Sequence, residues 1–143
     1  MDLRWIPHLS PAYALAVALR RDVLRKPLGL EFSEAQLADE AEDLHLAAFD
    51  GTELVGCLLL SDRGSGRVQM RQVAVRQDLQ GQGLGALLVR ESEAEALRRG
   101  FATMILHARE TAVPFYLKLG YGLVGEPFAE VGIPHRSMEK VLV

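Results

Sequence analysis

Apolar positions recur at helical spacing through the first forty residues and in alternation after them, so the chain opens with helices and continues with strands. Residues 3–6 read as a short first strand. Ser10 followed by Pro11 is an N-cap with proline at the first helical position, and the helix it opens runs to about residue 25, ahead of Pro27. Ala14, Val17, Ala18 and Arg21 share one face of that helix, with Leu15 and Leu19 beside it. Ser33-Glu34-Ala35-Gln36 has capping-box spacing and predicts a second, acidic helix to about residue 42.

Residues 44–49, the turn Asp50-Gly51-Thr52 and residues 53–60 form an antiparallel hairpin. Residues 67–75 make a strand that ends in the apolar run Val73-Ala74-Val75. A polar loop over 77–82 leads into a helix over 83–99, with Leu84, Leu87, Leu88, Ala94 and Leu97 inward and Gly100 as its stop. A buried strand over 102–108 and a shorter helix over 111–119, closed by Gly120, come next. Two last strands fall near 121–125 and 138–143. The fold class is α/β in an α+β layering, with a sheet of mixed direction and helices on both faces.

With 143 residues the chain fits a single domain over 1–143, and 49% hydrophobic with 24% charged residues suits a globular protein. A net charge of −3 argues against nucleic acid as a partner. No stretch approaches the roughly 20 apolar residues of a membrane span, and the first residues lack a signal peptide's apolar region. Cys57, the single cysteine, sits in the apolar run 55–60 and reads as a buried small hydrophobe. A reducing, cytoplasmic setting without a membrane partner is the expectation. No cluster of metal-ligand spacing occurs.

The chemistry concentrates in Val73-Ala74-Val75-Arg76-Gln77-Asp78-Leu79-Gln80-Gly81-Gln82-Gly83-Leu84-Gly85. A buried strand enters a loop with glycines at three alternate positions, and a helix starts directly after it. Glycine permits close backbone approach and positive φ, and the helix start leaves N–H groups unpaired at the positive end of its dipole. Such a turn suits a phosphate or diphosphate. A P-loop would need Gly-Lys-Ser/Thr where Gly85 is followed by Ala86-Leu87. A dinucleotide fingerprint would need G-x-G-x-x-G where this loop has G-x-G-x-G.

Gln80-Gly81-Gln82-Gly83-Leu84-Gly85 resembles the Q/R-x-x-G-x-G/A acyl-CoA signature of the GNAT acyltransferases. About 30 residues on, Ala112-Val113-Pro114-Phe115-Tyr116-Leu117-Lys118-Leu119-Gly120-Tyr121 is similar to that family's A-x-x-F-Y-x-x-L-G-F/Y segment. The resemblance is strong from residue 44 onward. It implies a GNAT-like, mostly antiparallel sheet with splayed central strands, and N-acetyl transfer from acetyl-CoA, as co-substrate, to a primary amine of a small molecule or peptide. It also implies that homodimers are common, though no residue pattern here marks an interface. By the same resemblance, main-chain amides of Gln80, Gly81, Gln82, Gly83, Leu84 and Gly85 hold the diphosphate. Val73, Ala74 and Val75 would pair with the pantetheine arm, and a main-chain N–H there would stabilise the developing oxyanion.

Transfer to an amine needs a neutral nucleophile, a donor to the thioester oxygen and a proton for the departing thiolate. Tyr116 matches the family's tyrosine that faces the CoA sulfur, and its phenol is protonated at neutral pH. The strand before the loop, Arg67-Val68-Gln69-Met70-Arg71-Gln72, lacks the glutamate that many members carry there. Glu130 and His135 are the alternatives. Glu130 would attract the ammonium and His135 would accept a proton, both on the segment 127–135, whose glycine and prolines read as a shaped loop. Glu130-Val131-Gly132-Ile133-Pro134-His135 also resembles a segment of one uncharacterised GNAT subgroup. His107, at the end of a strand, is a weaker candidate for contact with substrate or cofactor. In the basic run 20–26, Arg20 or Arg25 could hold a substrate carboxylate or phosphate.

Overall fold

The structure, a computed structural model, describes residues 1–142. Val143, which the sequence places in the last strand, lies outside the described residues. The elements run β1 (Asp2–Ile6), α1 (Pro11–Arg20), α2 (Glu34–Ala38), β2 (Leu44–Asp50), β3 (Glu53–Asp62), β4 (Arg67–Val75), α3 (Leu84–Arg98), β5 (Thr103–Arg109), α4 (Val113–Lys118), β6 (Gly122–Glu130) and β7 (Ile133–Val141). The strands hydrogen-bond in the order β1-β2-β3-β4-β5-β7-β6. β4 and β5 pair in parallel, while β1–β2, β2–β3, β5–β7 and β6–β7 are antiparallel. The mixed, mostly antiparallel sheet is therefore present as expected. Two compact units divide the chain: Met1–Ser61 with Arg71–Ser92, and Asp62–Met70 with the residues from Glu93 onward.

In the first unit, Gly56 and Cys57 are neighbours on β3 and so face opposite sides of the sheet. Cys57 packs under α1 with Ala16, Leu19 and Ala74. Burial pushes its thiol up to about 12, which leaves it unreactive. Gly56 lies under α3, where a methyl group would stand 2.9 Å from Leu88 Cδ1. The two helices thus cover opposite faces.

The buried face of α1 differs from the expected one. It carries Tyr13, Ala16, Val17, Leu19 and Arg20, whereas Ala14, Leu15 and Ala18 are exposed. The cause is polar. Glu40 accepts two hydrogen bonds from Arg20, at 2.8 and 2.6 Å, and one from the Tyr13 hydroxyl, at 2.8 Å. The Arg20 guanidinium also lies 4.6 Å from the Phe32 ring centroid. Arg20 is 2% exposed and committed, so it is not available to hold a substrate anion.

The same contact accounts for α2, which keeps its capping box but ends at Ala38 rather than near residue 42. Asp39, Glu40 and Glu42 would crowd the negative end of a longer helix. Instead Glu40 turns inward to Arg20, and its carbonyl accepts from His45 Nε2 (3.0 Å).

On α3 the buried residues are Leu84, Leu88, Val89, Ser92 and Ala96, an i, i+4 stripe flanked by one further position. Leu87 and Leu97, expected inward, are 42% and 46% exposed at the edges of that stripe. In the second unit, Gly100 ends α3 as expected. At φ 88° it donates to Leu97 O while Phe101 donates to Ala96 O, the paired bonds of a Schellman close. Gly120 ends α4 the same way.

Segment 127–135 is not a loop. It is the end of a hairpin in which Glu130 pairs with Ile133 across Val131 (φ 46°) and Gly132 (φ 74°), the two positive φ values of a type I′ turn. Pro127 is accommodated because the β6–β7 register is irregular between Val124 and Phe128, and β6 is an edge strand.

Removing the Glu40 charge leaves Arg20 buried without a counter-ion. Glu40→Gln should therefore destabilise the protein by about 3–5 kcal/mol in urea unfolding, whereas an exposed control such as Glu42→Gln should change it little. The pH dependence follows from two depressed groups. Burial lowers His45. Burial opposes ionisation of Glu40, but its hydrogen bonds and charge contact with Arg20 outweigh that and hold it low. For both, the unfolded chain binds protons that the folded chain does not. Stability is then full above about pH 6.5 and falls as pH drops toward and below 4, which thermal melts in a pH series would read.

Candidate functional site

After Val75 the chain makes a 3-10 turn over Gln77–Leu79, and Gly81 (φ 79°) and Gly83 (φ 89°) then take left-handed backbone before α3 begins. A Cβ built at either glycine meets nothing within 4 Å, so the positive φ requires glycine here and the space beside the loop is open. Gln80 Nε2 donates to Val75 O (3.0 Å) and Gln82 Nε2 to Asp78 O (3.2 Å). The glutamines brace the loop from within and leave its main chain facing out.

Leu87 N–H bonds to Gly83 O, which makes Gly83 the cap. The N–H groups of Leu84, Gly85 and Ala86 then have no acceptor inside the helix. Those of Gly81, Gln82 and Gly83 have no acceptor among the described residues. Gln80 N–H is engaged, at 3.4 Å, with Gln77 O, so the free run starts one residue later than the motif suggests. Arg76 is held by Glu53 and Asp78 at 2.7 Å each. Any anion at this turn is thus met by amides and the helix dipole, and a diphosphate fits that donor set. Beside the loop, Met1, Leu79, Gln82, Gly83, Leu84 and Leu87 line a shallow cavity of about 180 Å³.

The strand that delivers the loop is irregular. Its parallel ladder with β5 covers only Arg67–Met70, paired with Thr103–Leu106. Gln72 has φ 54°, a conformation that costs a non-glycine residue about 1–2 kcal/mol. Val73, Ala74 and Val75 follow that kink and are not part of this ladder.

The three tyrosines of the chain separate by their hydroxyls. Tyr13 belongs to the buried network of the first unit and donates to Glu40. Tyr121 donates to Glu93 at 2.8 Å. Tyr116 is 8% exposed, packs its ring edge-on to Phe115 and Tyr121, and its hydroxyl has no partner among the described residues. Burial alone pushes this phenol up to about 12, so it stays protonated through the neutral range.

Glu130 and His135 come together, and they bring His107 with them. On β5 the buried residues Met104, Leu106 and Ala108 alternate with Ile105, His107 and Arg109. The register pairs Arg109 with His135, and His135 with Phe128, setting these side chains on one face of β5, β7 and β6. Glu130 Oε1 lies 3.1 Å from His107 Nδ1, and its Oε2 lies 3.5 Å from His135 Nε2. His135 is 6% exposed, with Nδ1 2.8 Å from Ile133 O. The Phe128 ring lies 5.1 Å from His107 and 6.0 Å from His135, centroid to centroid. The Glu130–His107 contact joins residues 23 apart in sequence. The one trace of it in the sequence is His107 at an outward position of an otherwise apolar strand.

The acetyltransferase (GNAT) domain family matches residues 25–142. The uncharacterized N-acetyltransferase YjcF of Bacillus subtilis (strain 168) is 30% identical over 126 residues, covering 87% of this chain and 89% of that protein. Among solved structures, one from Lactobacillus plantarum superposes with a TM-score of 0.86 at 26% identity over the whole of both chains. An acyl-CoA N-acyltransferase from Pseudomonas aeruginosa gives 0.82 at 27% identity, over 98% of this chain and 99% of that one. No helix among the described residues is long and apolar enough to cross a membrane. By the extent of these matches the chain belongs to the GNAT family of acetyltransferases, whose co-substrate is acetyl-CoA.

Proposed function

We propose that this chain transfers an acetyl group from acetyl-CoA directly to a primary amine, in the reducing cytoplasm, with a small molecule or peptide as acceptor. The observation that carries this reading is the run of outward amides from Gly81 into the first turn of α3, beside open space. Gly81, Gln82, Gly83, Leu84 and Gly85 hold the diphosphate through main-chain N–H groups, while Gln80 braces the turn. Val73, Ala74 and Val75 offer main-chain groups to the pantetheine arm. Bound there, the co-substrate supplies an activated acyl thioester.

Tyr116 donates the proton that the departing thiolate needs. Its protonated phenol and its uncommitted hydroxyl support that role over the other two tyrosines. Glu130, with its side chain 46% exposed, draws the cationic acceptor, and the buried His135 lies behind it with Nε2 3.5 Å from Oε2. Release of CoA thiol from acetyl-CoA over a panel of polyamine, amino acid, sugar amine and peptide acceptors tests the reading. Turnover with at least one amine is expected; tight CoA binding with none acetylated would overturn it.

Two variants probe the parts. Gly83→Val puts a β-branched side chain where the diphosphate lies and strains a φ of 89°, while meeting no protein atom within 4 Å. CoA affinity should fall at least about tenfold by calorimetry, the equivalent of 1.4 kcal/mol, with the far-UV spectrum unchanged. Tyr116→Phe should lower kcat about a hundredfold with little change in CoA affinity, a loss typical of one general acid. Because the phenol must be protonated to donate and titrates near 12, its contribution should persist to at least about pH 10 and vanish only above that. Full activity in the Phe variant would show that the proton comes from elsewhere.

A further inference from the structure

We infer that His107 is the group that takes the proton from the acceptor amine, with Glu130 as the carboxylate that sets its tautomer and His135 as a positioning residue behind Glu130. The inference rests on the acetyl-to-amine reading above and adds a base to it.

The two histidines on Glu130 are not equivalent. His135 is buried, and both ring nitrogens are occupied. Nδ1 faces the Ile133 carbonyl at 2.8 Å, which can only accept, so Nδ1 carries a hydrogen; Nε2 lies 3.5 Å from Glu130 Oε2, a contact that becomes an ion pair when the ring carries its second hydrogen there. Nothing in that ring is left for a substrate. His107 is 39% exposed and uses only Nδ1, 3.1 Å from Glu130 Oε1. A carboxylate accepts, so the hydrogen sits on Nδ1 and the neutral ring presents its Nε2 lone pair outward.

Carboxylate, Nδ1–H and free Nε2 in that order make a base whose tautomer is fixed by the anion behind it. The proton balance closes. The ammonium gives one proton to His107 Nε2, the neutral amine forms the new C–N bond as the thioester C–S bond breaks, and the departing sulfur takes its proton from Tyr116. The second amine proton returns the phenol to its starting state, and the imidazolium releases its proton to water. Phe128, edge-on to His107, limits the ring's freedom to turn away.

The charged groups on the same sheet face as His107 are Arg109 on its own strand, His135 and Glu139 from β7, Glu130 from β6 and Arg67 from β4. Glu110 stands in the 3-10 turn that follows β5. Arg67 and Glu139 pair with each other at 3.5 Å, which leaves Glu130 as the anion in contact with His107.

The test uses the full chain with acetyl-CoA and the best amine of the panel, together with ring 15N NMR. His107→Gln should fold and bind CoA as wild type does. It should lower kcat/KM about a hundredfold at neutral pH, the usual worth of a general base, and flatten the acidic limb of the pH profile. Added imidazole should restore part of the rate in His107→Ala. In the NMR spectrum His107 should carry its hydrogen on Nδ1 in wild type and shift it to Nε2 in Glu130→Ala. An active wild type whose Gln variant keeps both rate and acidic limb, or a wild-type His107 with its hydrogen on Nε2, overturns the His107 assignment alone. A wild type inert toward every amine overturns the transfer reading and this assignment with it.

Discussion

The amides that open a helix have no acceptor inside it, and at α3 that constraint shapes everything before it. Strand β4 kinks at Gln72, two glycines take left-handed backbone that other residues resist, and two glutamine side chains tie the loop to itself. Each of these turns main-chain donors outward. Gly56 then lets α3 lie close on β3, so the donors stand on a helix anchored by Leu84 and Leu88. The energetic logic is a deferred hydrogen bond: donors left unpaired by the fold are available to an anion.

Polar groups elsewhere follow the opposite rule. Tyr13, Arg20, Glu40 and His45 are buried and bonded to one another, so their contribution lies in locking α1 and the segment after α2 to β2. Tyr121, Glu93 and Lys140 form a second such knot, with Lys140 Nζ also donating to Leu119 O at 2.8 Å. Against that background an uncommitted Tyr116 hydroxyl and the outward edge of His107 are departures. Departures from full pairing are where chemistry is available. A hairpin turn with valine in the left-handed region, beside Glu130, belongs to the same pattern, since such backbone persists only where its surroundings hold it.

How far the sequence carried differed by kind of interaction. Caps, turns and the glycine signature were legible because they are local: Ser10, Ser33, Gly100 and Gly120 each act within four residues. The glycine turn ahead of α3 was legible as a turn for the same reason. The faces of α1 and α3 were not, because helical spacing assigns burial by apolarity. Arg20 is buried for its bond to Glu40, twenty residues away, and Leu87 is exposed in spite of its side chain. The hairpin at 122–141 was hidden by Pro127 and Pro134, which read as loop residues until the edge position of β6 explains the first and the start of the β5–β7 ladder at His135, one residue on, explains the second. His107 meets Glu130 only through the register of three strands, which no local pattern encodes.

The central claim is that the outward amides at the start of α3 hold the co-substrate. An amide-resolved NMR titration of the 15N-labelled protein with CoA tests it most directly. The resonances of Gly81, Gln82, Gly83, Leu84 and Gly85 should shift together and saturably, while those of Gly100 and Gly120, already bonded in their helix closes, stay in place. CoA binding that leaves the five loop amides unmoved would contradict the account.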